Sequence, residues 1–399
     1  MPAPLLLPNF GAEEGTEGLA RVAPLSLAMA RLWRALFQED ATFVDGTAPD
    51  EALALPSPLA ARRGQPLMDH DGVGLVAWLN TKHAARLAAE RRLPLHGASP
   101  EIVRLVHDKA FALEAIREAG LEGCPEATIL EPEELRDPED ALRSVRRMVD
   151  RWPTACQERF TLKPRLGCSG RGRVPCSLEH LDNEELRGAL PRLVKRGGAI
   201  VEPIRSRTKD LSAVLWVSAP DDVRLLGTLE QHVSVSGSYF GHRGILSAGG
   251  EIHAASPFRE ELMDSSRRMG RSAAERGYRG ACGVDAFTYR EGDRERFRAG
   301  VEFNARYTLG AIVLDVVRRC REHLRKAGVW SDSEEIAFAF FLQEPPSGWP
   351  TSTEIANAEA HFVPLWLPGD TINPGVLMAR SDKILDDLAN GNSQRAEPS

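Results

Sequence analysis

VEFNARYTLG, residues 301 to 310, alternates apolar and polar side chains, Val301, Phe303 and Ala305 against Glu302, Asn304 and Arg306. A β-strand here puts the apolar set on one face and a carboxylate, an amide and a guanidinium on the other. A solvated outer face is one reading of that pattern and a ligand-binding face is the other. The sequence just upstream bears on the choice. ACGVDAFTY, residues 281 to 289, is a second strand signal, and REGDRER, residues 290 to 296, is the strongest turn signal between the two. In an antiparallel hairpin with Asp285 opposite Glu302, the midpoint falls between Asp293 and Arg294. Asp285 then joins Glu302 and Asn304. Two carboxylates and an amide oxygen at close range repel one another unless a hard cation lies between them, and such oxygen ligands suit Mg²⁺. A surface hairpin with unrelated polar residues is the alternative.

Downstream, Leu309, Ile312, Val313, Val316, Val317, Cys320 and Leu324 recur at helical spacing and predict an amphipathic helix over 309–326. Upstream, Asp108 reads as the N-cap and Gly120 as the stop of a helix with Ala112, Ala115, Ile116 and Ala119 as its buried stripe. RFTLKPRL, residues 159 to 166, reads as a strand carrying Lys163, and it runs into the glycine-rich GCSGRG, residues 167 to 172. Gly167, Gly170 and Gly172 free that backbone to approach phosphate oxygens, with Lys163 and Arg171 nearby; a plain flexible turn is the competing reading. It is neither a Walker loop, lacking GK[ST], nor a GxSxG elbow, since Arg171 stands two after Ser169. Strands are expected at AIVEPI, LSAVLWVS and VRLLGTLEQHV, followed by a Gly- and Ser-rich loop, SVSGSYFGHRG (234 to 244), a helix over about 257 to 276, and the VEFNARYTLG strand as the last of this series. AFAFFLQE and FVPLWLPGD read as further strands, with a polar, disordered tail from about 387. The N-terminal hundred residues alternate short strand and helix signals, as in a small α/β unit.

Composition narrows the class. At 399 residues, 42% hydrophobic and 27% charged, the chain is an ordinary globular one with room for two or three domain-sized units. A net charge of −7 argues against a nucleic-acid protein. Six scattered cysteines without a CxxC pair read as reduced thiols of a cytoplasmic protein, and no apolar run reaches the roughly 20 residues a membrane span needs. MPAPLLLPNFG lacks the basic flank of a secretory signal.

Lys109 at a helix start, Lys163 in LKP, the loop GCSGRG, Glu202 in VEPI, Asp210 opening the next strand, GVD at 283 to 285 and VEFNAR at 301 to 306 follow one another in an order that resembles the ATP-grasp superfamily. Its members include D-alanine:D-alanine ligase, glutathione synthetase and biotin carboxylase. The resemblance covers about residues 105 to 315. It implies an α/β chain built of α+β lobes: an N-terminal domain over 1–104, an ATP-grasp domain over 105–329 with a nucleotide lid lobe at about 121–205 and a catalytic lobe at about 206–329, a C-terminal extension over 330–386, and the tail 387–399.

The same resemblance implies roles. Lys109 and Lys163 would hold the ATP phosphates, under a lid formed by Gly167, Ser169, Gly170, Arg171 and Gly172. Glu202, Pro203 and Ile204 would face the adenine, and Asp210 the ribose. Asp285, Glu302 and Asn304 would bind two Mg²⁺ ions, and Arg306 would face the transferred phosphoryl group or the acceptor carboxylate. The expected reaction joins a small-molecule carboxylate and an amine through an acylphosphate, releasing ADP and phosphate; an ATP-grasp phosphotransferase, an acid–thiol ligase and a non-catalytic nucleotide-binding module remain alternatives. A similarity to peptide ligases of the pheganomycin-synthase type points to amino acids or peptides, and family habit to a homodimer. Arg173 in the lid and Gly283 two before Asp285 depart from the pattern of many relatives, which shifts acceptor recognition elsewhere. Tyr239, His242, Arg243 and His232 are the candidates, Arg243 either as a bidentate partner for a substrate carboxylate or as an exposed loop arginine with no partner, and the histidines in structural or catalytic roles.

Overall fold

The computed structural model describes residues 3–14, 23–37, 40–48, 50–60, 73–167, 172–181, 184–233, 239–331, 333–343 and 359–389. Strands β1 (Leu5–Leu7), β2 (Thr42–Phe43) and β3 (Leu75–Ala77) pair in parallel in the order β2-β1-β3. Around them lie α1 (Ala23–Arg34), α2 (Ser57–Ala60) and α3 (Lys82–Glu90). Two helices lead out of this unit, α4 (Pro100–His107), capped by Ser99, and α5 (Lys109–Glu118), capped by Asp108 as its sequence predicts.

The second sheet is antiparallel and contains β4 (Thr128–Leu130), β5 (Phe160–Pro164), β6 (Val174–Cys176) and β7 (Ala199–Pro203) in the order β4-β7-β5-β6. The helices α6 (Pro138–Val149), α7 (Thr154–Gln157) and α8 (Glu184–Lys195) accompany it. Pro138 sits at the start of α6, where its missing N–H has no helical partner to lose. Val145 and Val149 of α6 and Leu186 and Leu190 of α8 close over Phe160, Leu162 and Val201 in a core separate from the main one.

The third sheet is the largest. It takes in β8 (Arg207–Ala219), β9 (Asp222–Val233), β10 (Tyr239–Leu246), β11 (Ile252–His253), β12 (Gly280–Glu291), β13 (Arg294–Asn304), β14 (Ile336–Phe341), β15 (Ala360–Pro364) and β16 (Gly375–Ala379). Its order is β13-β12-β8-β9-β10-β14-β16-β15, with β11 beside β10. Helices α9 (Arg259–Glu275) and α10 (Leu309–Lys326) pack on its two faces, α9 over Leu215 and Val217 and α10 over Val214, and α11 (Asp382–Ala389) ends the described chain. One core joins this sheet to the N-terminal unit, since Trp33 and Trp78 lie in it beside Phe303 and Val316.

Three sequence expectations need correction. The stretch SVSGSYFGHRG is not all loop, because its second half is β10, an interior strand; residues 234–238 lie outside the described residues. Gly241 misleads because it reads as a turn residue, whereas a Cβ there would stand 2.0 Å from the Phe340 carbonyl oxygen of the neighbouring strand. The C-terminal extension over 330–386 supplies β14, β15 and β16 to the same sheet that holds β12 and β13. Residues 387–389, read as the start of the tail, end α11, and residues 390–399 lie outside the described residues. The hairpin turn lies at Gly292 and Asp293, between the Glu291–Arg294 pair, one residue earlier than the midpoint predicts. Ala299, Gly300 and Val301 stand opposite Ala286 alone, and this irregularity, with Gly300 at φ +52°, absorbs the difference.

Cys124, Cys156, Cys176, Cys282 and Cys320 are buried free thiols. No described helix is long and apolar enough to cross a membrane.

Candidate active site

Asp285 of β12 pairs in register with Glu302 of β13, and Gly283 with Asn304, so the three polar groups do share one face. Asn304 Nδ2 donates to Asp285 Oδ2 at 2.8 Å, and Gln231 Nε2, from β9, donates to Asp285 Oδ1 at 2.7 Å. Burial, and then the negative charge of Glu302, push Asp285 up to about 6. Burial would raise Glu302 as well, but the Lys109 ammonium above all holds it below the usual carboxylate range. The Lys109 ammonium is 3.2 Å from Glu302 Oε1 and donates to the Gly167 carbonyl at 2.6 Å. The start of α5 is thereby tied both to the carboxylate strand and to the entrance of the glycine-rich loop.

Across from this face stands the four-stranded sheet. Lys163 of β5 and Glu202 of β7 meet with Nζ 2.7 Å from Oε1, and Arg298 of β13 donates to the other carboxylate oxygen. Burial, only partly offset by Glu202, brings Lys163 down to about 8. Glu202, which burial would raise, is held far below its ordinary range by Arg298 and Lys163. Pro203 ends β7, and Ile204 donates its N–H to the Arg159 carbonyl at 2.9 Å. Asp210 lies inside β8 opposite Phe287, and Arg207 donates to its carboxylate at 2.6 Å. Gly167 and Gly172 flank the loop with φ of +130° and +79°, a conformation that favours glycine. Ser169, Gly170 and Arg171, with Cys168, lie outside the described residues.

Arg306 follows β13 and pairs with Glu13, which comes from the turn after β1. His107 Nδ1 accepts the Ala305 N–H at 3.2 Å; burial above all, with Arg306 adding to it, lowers His107 to about 4, so its ring is neutral. Arg306 also lies 5.9 Å from the Trp78 ring centre and lines a cavity of about 560 Å³, together with Trp78, Trp216, Tyr278, Arg224 and Tyr307.

No family model matches the chain, and no curated protein matches its sequence. Solved structures match it along almost its whole length. Biotin carboxylase from Campylobacter jejuni, in its β,γ-ATP complex, superposes with a TM-score of 0.56 at 15% identity, over 96% of this chain and 89% of its own. The biotin carboxylase domain of the Hydrogenobacter thermophilus 2-oxoglutarate carboxylase, in complex with MgADP, ADP and bicarbonate, gives 0.55 at 15%, over 97% and 89%. N5-carboxyaminoimidazole ribonucleotide synthetase from Thermus thermophilus gives 0.50 at 17%, over 99% of both chains. The chain shares the ATP-grasp fold of these structures.

Within the ATP-grasp fold, the residues present fit a divalent cation in one respect that this chain itself shows. Asp285 carries a raised pKa because burial and Glu302 leave its charge uncompensated, and a cation between the two carboxylates removes that penalty. Among the described residues no group of three or more His, Cys, Asp or Glu side chains is placed to hold a metal, so Asp285 and Glu302 would need the Asn304 amide as a further oxygen donor.

The expected acceptor residues fare differently. Arg243 does not present a free fork to a substrate: its Nε donates to Asp382 Oδ1 at 2.8 Å and its Nη1 to Asp386 Oδ1 at 2.6 Å, which ties β10 to α11. Tyr239 and His242 engage each other, with the Tyr239 hydroxyl 2.6 Å from His242 Nδ1, and burial holds His242 down to about 3. His232, on β9, is likewise lowered by burial. Glu13, His107, Gln231 and Arg298 contact the candidate site residues but carry no reading in the sequence analysis. None of the four carries a local signal; Gln231, for one, lies between Glu230 and His232 in VRLLGTLEQHV.

Proposed function

We propose that this protein is an ATP-dependent carboxylate–amine ligase that activates an acid as its acylphosphate and releases ADP and phosphate. The observation that carries this reading is the meeting of Lys109, Glu302 and Gly167, with Asp285 and Asn304 beside them on one face and Lys163 across from it. The structures of the same fold in complex with β,γ-ATP or MgADP support nucleotide binding by this chain.

Attack of a carboxylate oxygen on the γ-phosphorus brings anions together, so the site has to neutralise charge where it develops. Lys109 and Lys163 supply two ammonium groups to the phosphates. Arg306 supplies a guanidinium to the acid or to the transferred phosphoryl group, and Glu13 holds that side chain in place. Asp285, Glu302 and Asn304 would hold Mg²⁺, which would supply positive charge to offset that of the phosphates. Gln231 fixes the Asp285 carboxylate, and His107 fixes the backbone at Ala305 between Asn304 and Arg306. The amine then attacks the acyl carbon, the C–N bond forms and phosphate leaves with the electrons of the broken C–O bond.

The cavity beside Arg306, with its aromatic walls, supports an organic acceptor such as an amino acid or a peptide. The test is ADP release by the purified protein with MgATP against amino acids and dipeptides, singly and in pairs, with mass spectrometry of the products. Release that needs two components, with a product mass equal to their sum less one water, supports the ligase. ADP release with a single acid or with a thiol overturns it in favour of a phosphotransferase or an acid–thiol ligase.

A further inference from the structure

Arg298 is a buried cation to which the scheme above gives no task. It stands opposite Phe287 on β13, on the face that also carries Asp285 and Glu302, and its side chain crosses from the nine-stranded sheet to Glu202 in the four-stranded one. Arg298, Glu202 and Lys163 are 5%, 3% and 8% exposed. Each Glu202 oxygen serves one cation, Oε1 the Lys163 ammonium and Oε2 the Arg298 guanidinium.

We propose that Arg298 is a positioning residue for nucleotide binding, holding the Glu202 carboxylate compensated so that Lys163 can leave it and turn to the phosphates. The inference rests on the nucleotide site proposed above. Its physical basis is the cost of an unpaired buried charge. Were Lys163 the sole partner of Glu202, its departure would strand a carboxylate away from water, and the phosphates would have to compete with that penalty. Arg298 removes the competition because it stays charged at every accessible pH and its planar fork can take over both oxygens when Lys163 turns away. The three groups together carry a net positive charge, which suits a polyphosphate better than a neutral pair would. Burial, opposed by Glu202 and reinforced by Arg298, leaves Lys163 at about 8. The contact also joins the expected adenine hinge to the strand that bears Glu302, so nucleotide and metal groups are fixed to one another through it.

The experiment is calorimetric titration of MgADP into the wild type, Arg298→Met, Arg298→Gln and the double variant Arg298→Met with Glu202→Gln, all checked for native melting. The expected result is that Arg298→Met and Arg298→Gln each weaken MgADP binding by about tenfold or more, because Glu202 then retains Lys163, and that neutralising Glu202 in the double variant restores most of the affinity. The Gln variant keeps a donor of similar polarity and carries the test if the Met variant does not fold. Binding equal to wild type in either single variant overturns the inference. So does a double variant no better than the single one, which is what an arginine needed only for packing would give. A wild type that binds no MgADP overturns the nucleotide site itself, and this result is distinct from the other two.

Discussion

Lys109 and Glu302 face each other with 3.2 Å between Nζ and Oε1, although one opens a helix and the other lies near the end of a hairpin far along the chain. The same ammonium reaches the Gly167 carbonyl, so a single side chain connects the metal-type carboxylates with the loop expected to close over the phosphates. Lys109→Met removes both contacts. A fall in kcat/KM for ATP of about 10²–10³ is expected, the scale of losing one well-placed electrostatic group; steady-state kinetics at saturating Mg²⁺ checks it, and a change of less than a few-fold would mean that Lys109 serves only the fold.

Glu302→Ala deletes a carboxylate while leaving Phe303 and its packing in place. Mg²⁺-dependent turnover should vanish with little change in circular dichroism. An active variant at ordinary Mg²⁺ concentration would remove Glu302 from the metal set.

Lys163 gives the site a pH signature. With its folded pKa near 8 and its ordinary value at 10.5, the ammonium is present below about 8 and lost as pH rises through it. The profile of kcat/KM for ATP, which reports groups of the free enzyme, should therefore fall with rising pH through about 8. The sign for stability is opposite: the unfolded chain binds the extra proton between about 8 and 10.5, so the cost of burying this group, fully present below about 8, is relieved as pH rises across that window. An activity profile flat to pH 10 would contradict the assignment.

Arg243→Ala tests whether that residue is a strut or a substrate ligand. Two aspartates of α11, partly exposed, lose their partner, and a stability loss of about 1–3 kcal/mol is expected in urea unfolding. KM for the acid and amine should stay unchanged. A raised KM with unaltered stability would return Arg243 to the acceptor site.

Local patterns carried much of this structure in the sequence. The alternation in VEFNAR and the opposition of Asp285 to Glu302 were legible because strand parity and a turn signal are short-range properties. The helix over 309–326 was legible for the same reason and ends where its stripe does. What failed depends on contacts between distant segments. Gly241 reads as a turn residue unless the Phe340 backbone beside it is known. Arg243 reads as free until Asp382 and Asp386 are brought to it. The Glu13–Arg306 and Glu202–Arg298 pairs join separate sheets or domains, and no local spacing announces them.

The most direct test of the central claim follows the oxygen. With the acid substrate found by the ADP-release panel labelled with ¹⁸O in its carboxylate, activation as an acylphosphate and attack by the amine must transfer one labelled oxygen to the released phosphate. Mass spectrometry of that phosphate should show one ¹⁸O per turnover, with the other retained in the amide. Phosphate without label, alongside a normal yield of amide and ADP, would contradict the acylphosphate route proposed for this ATP-grasp site.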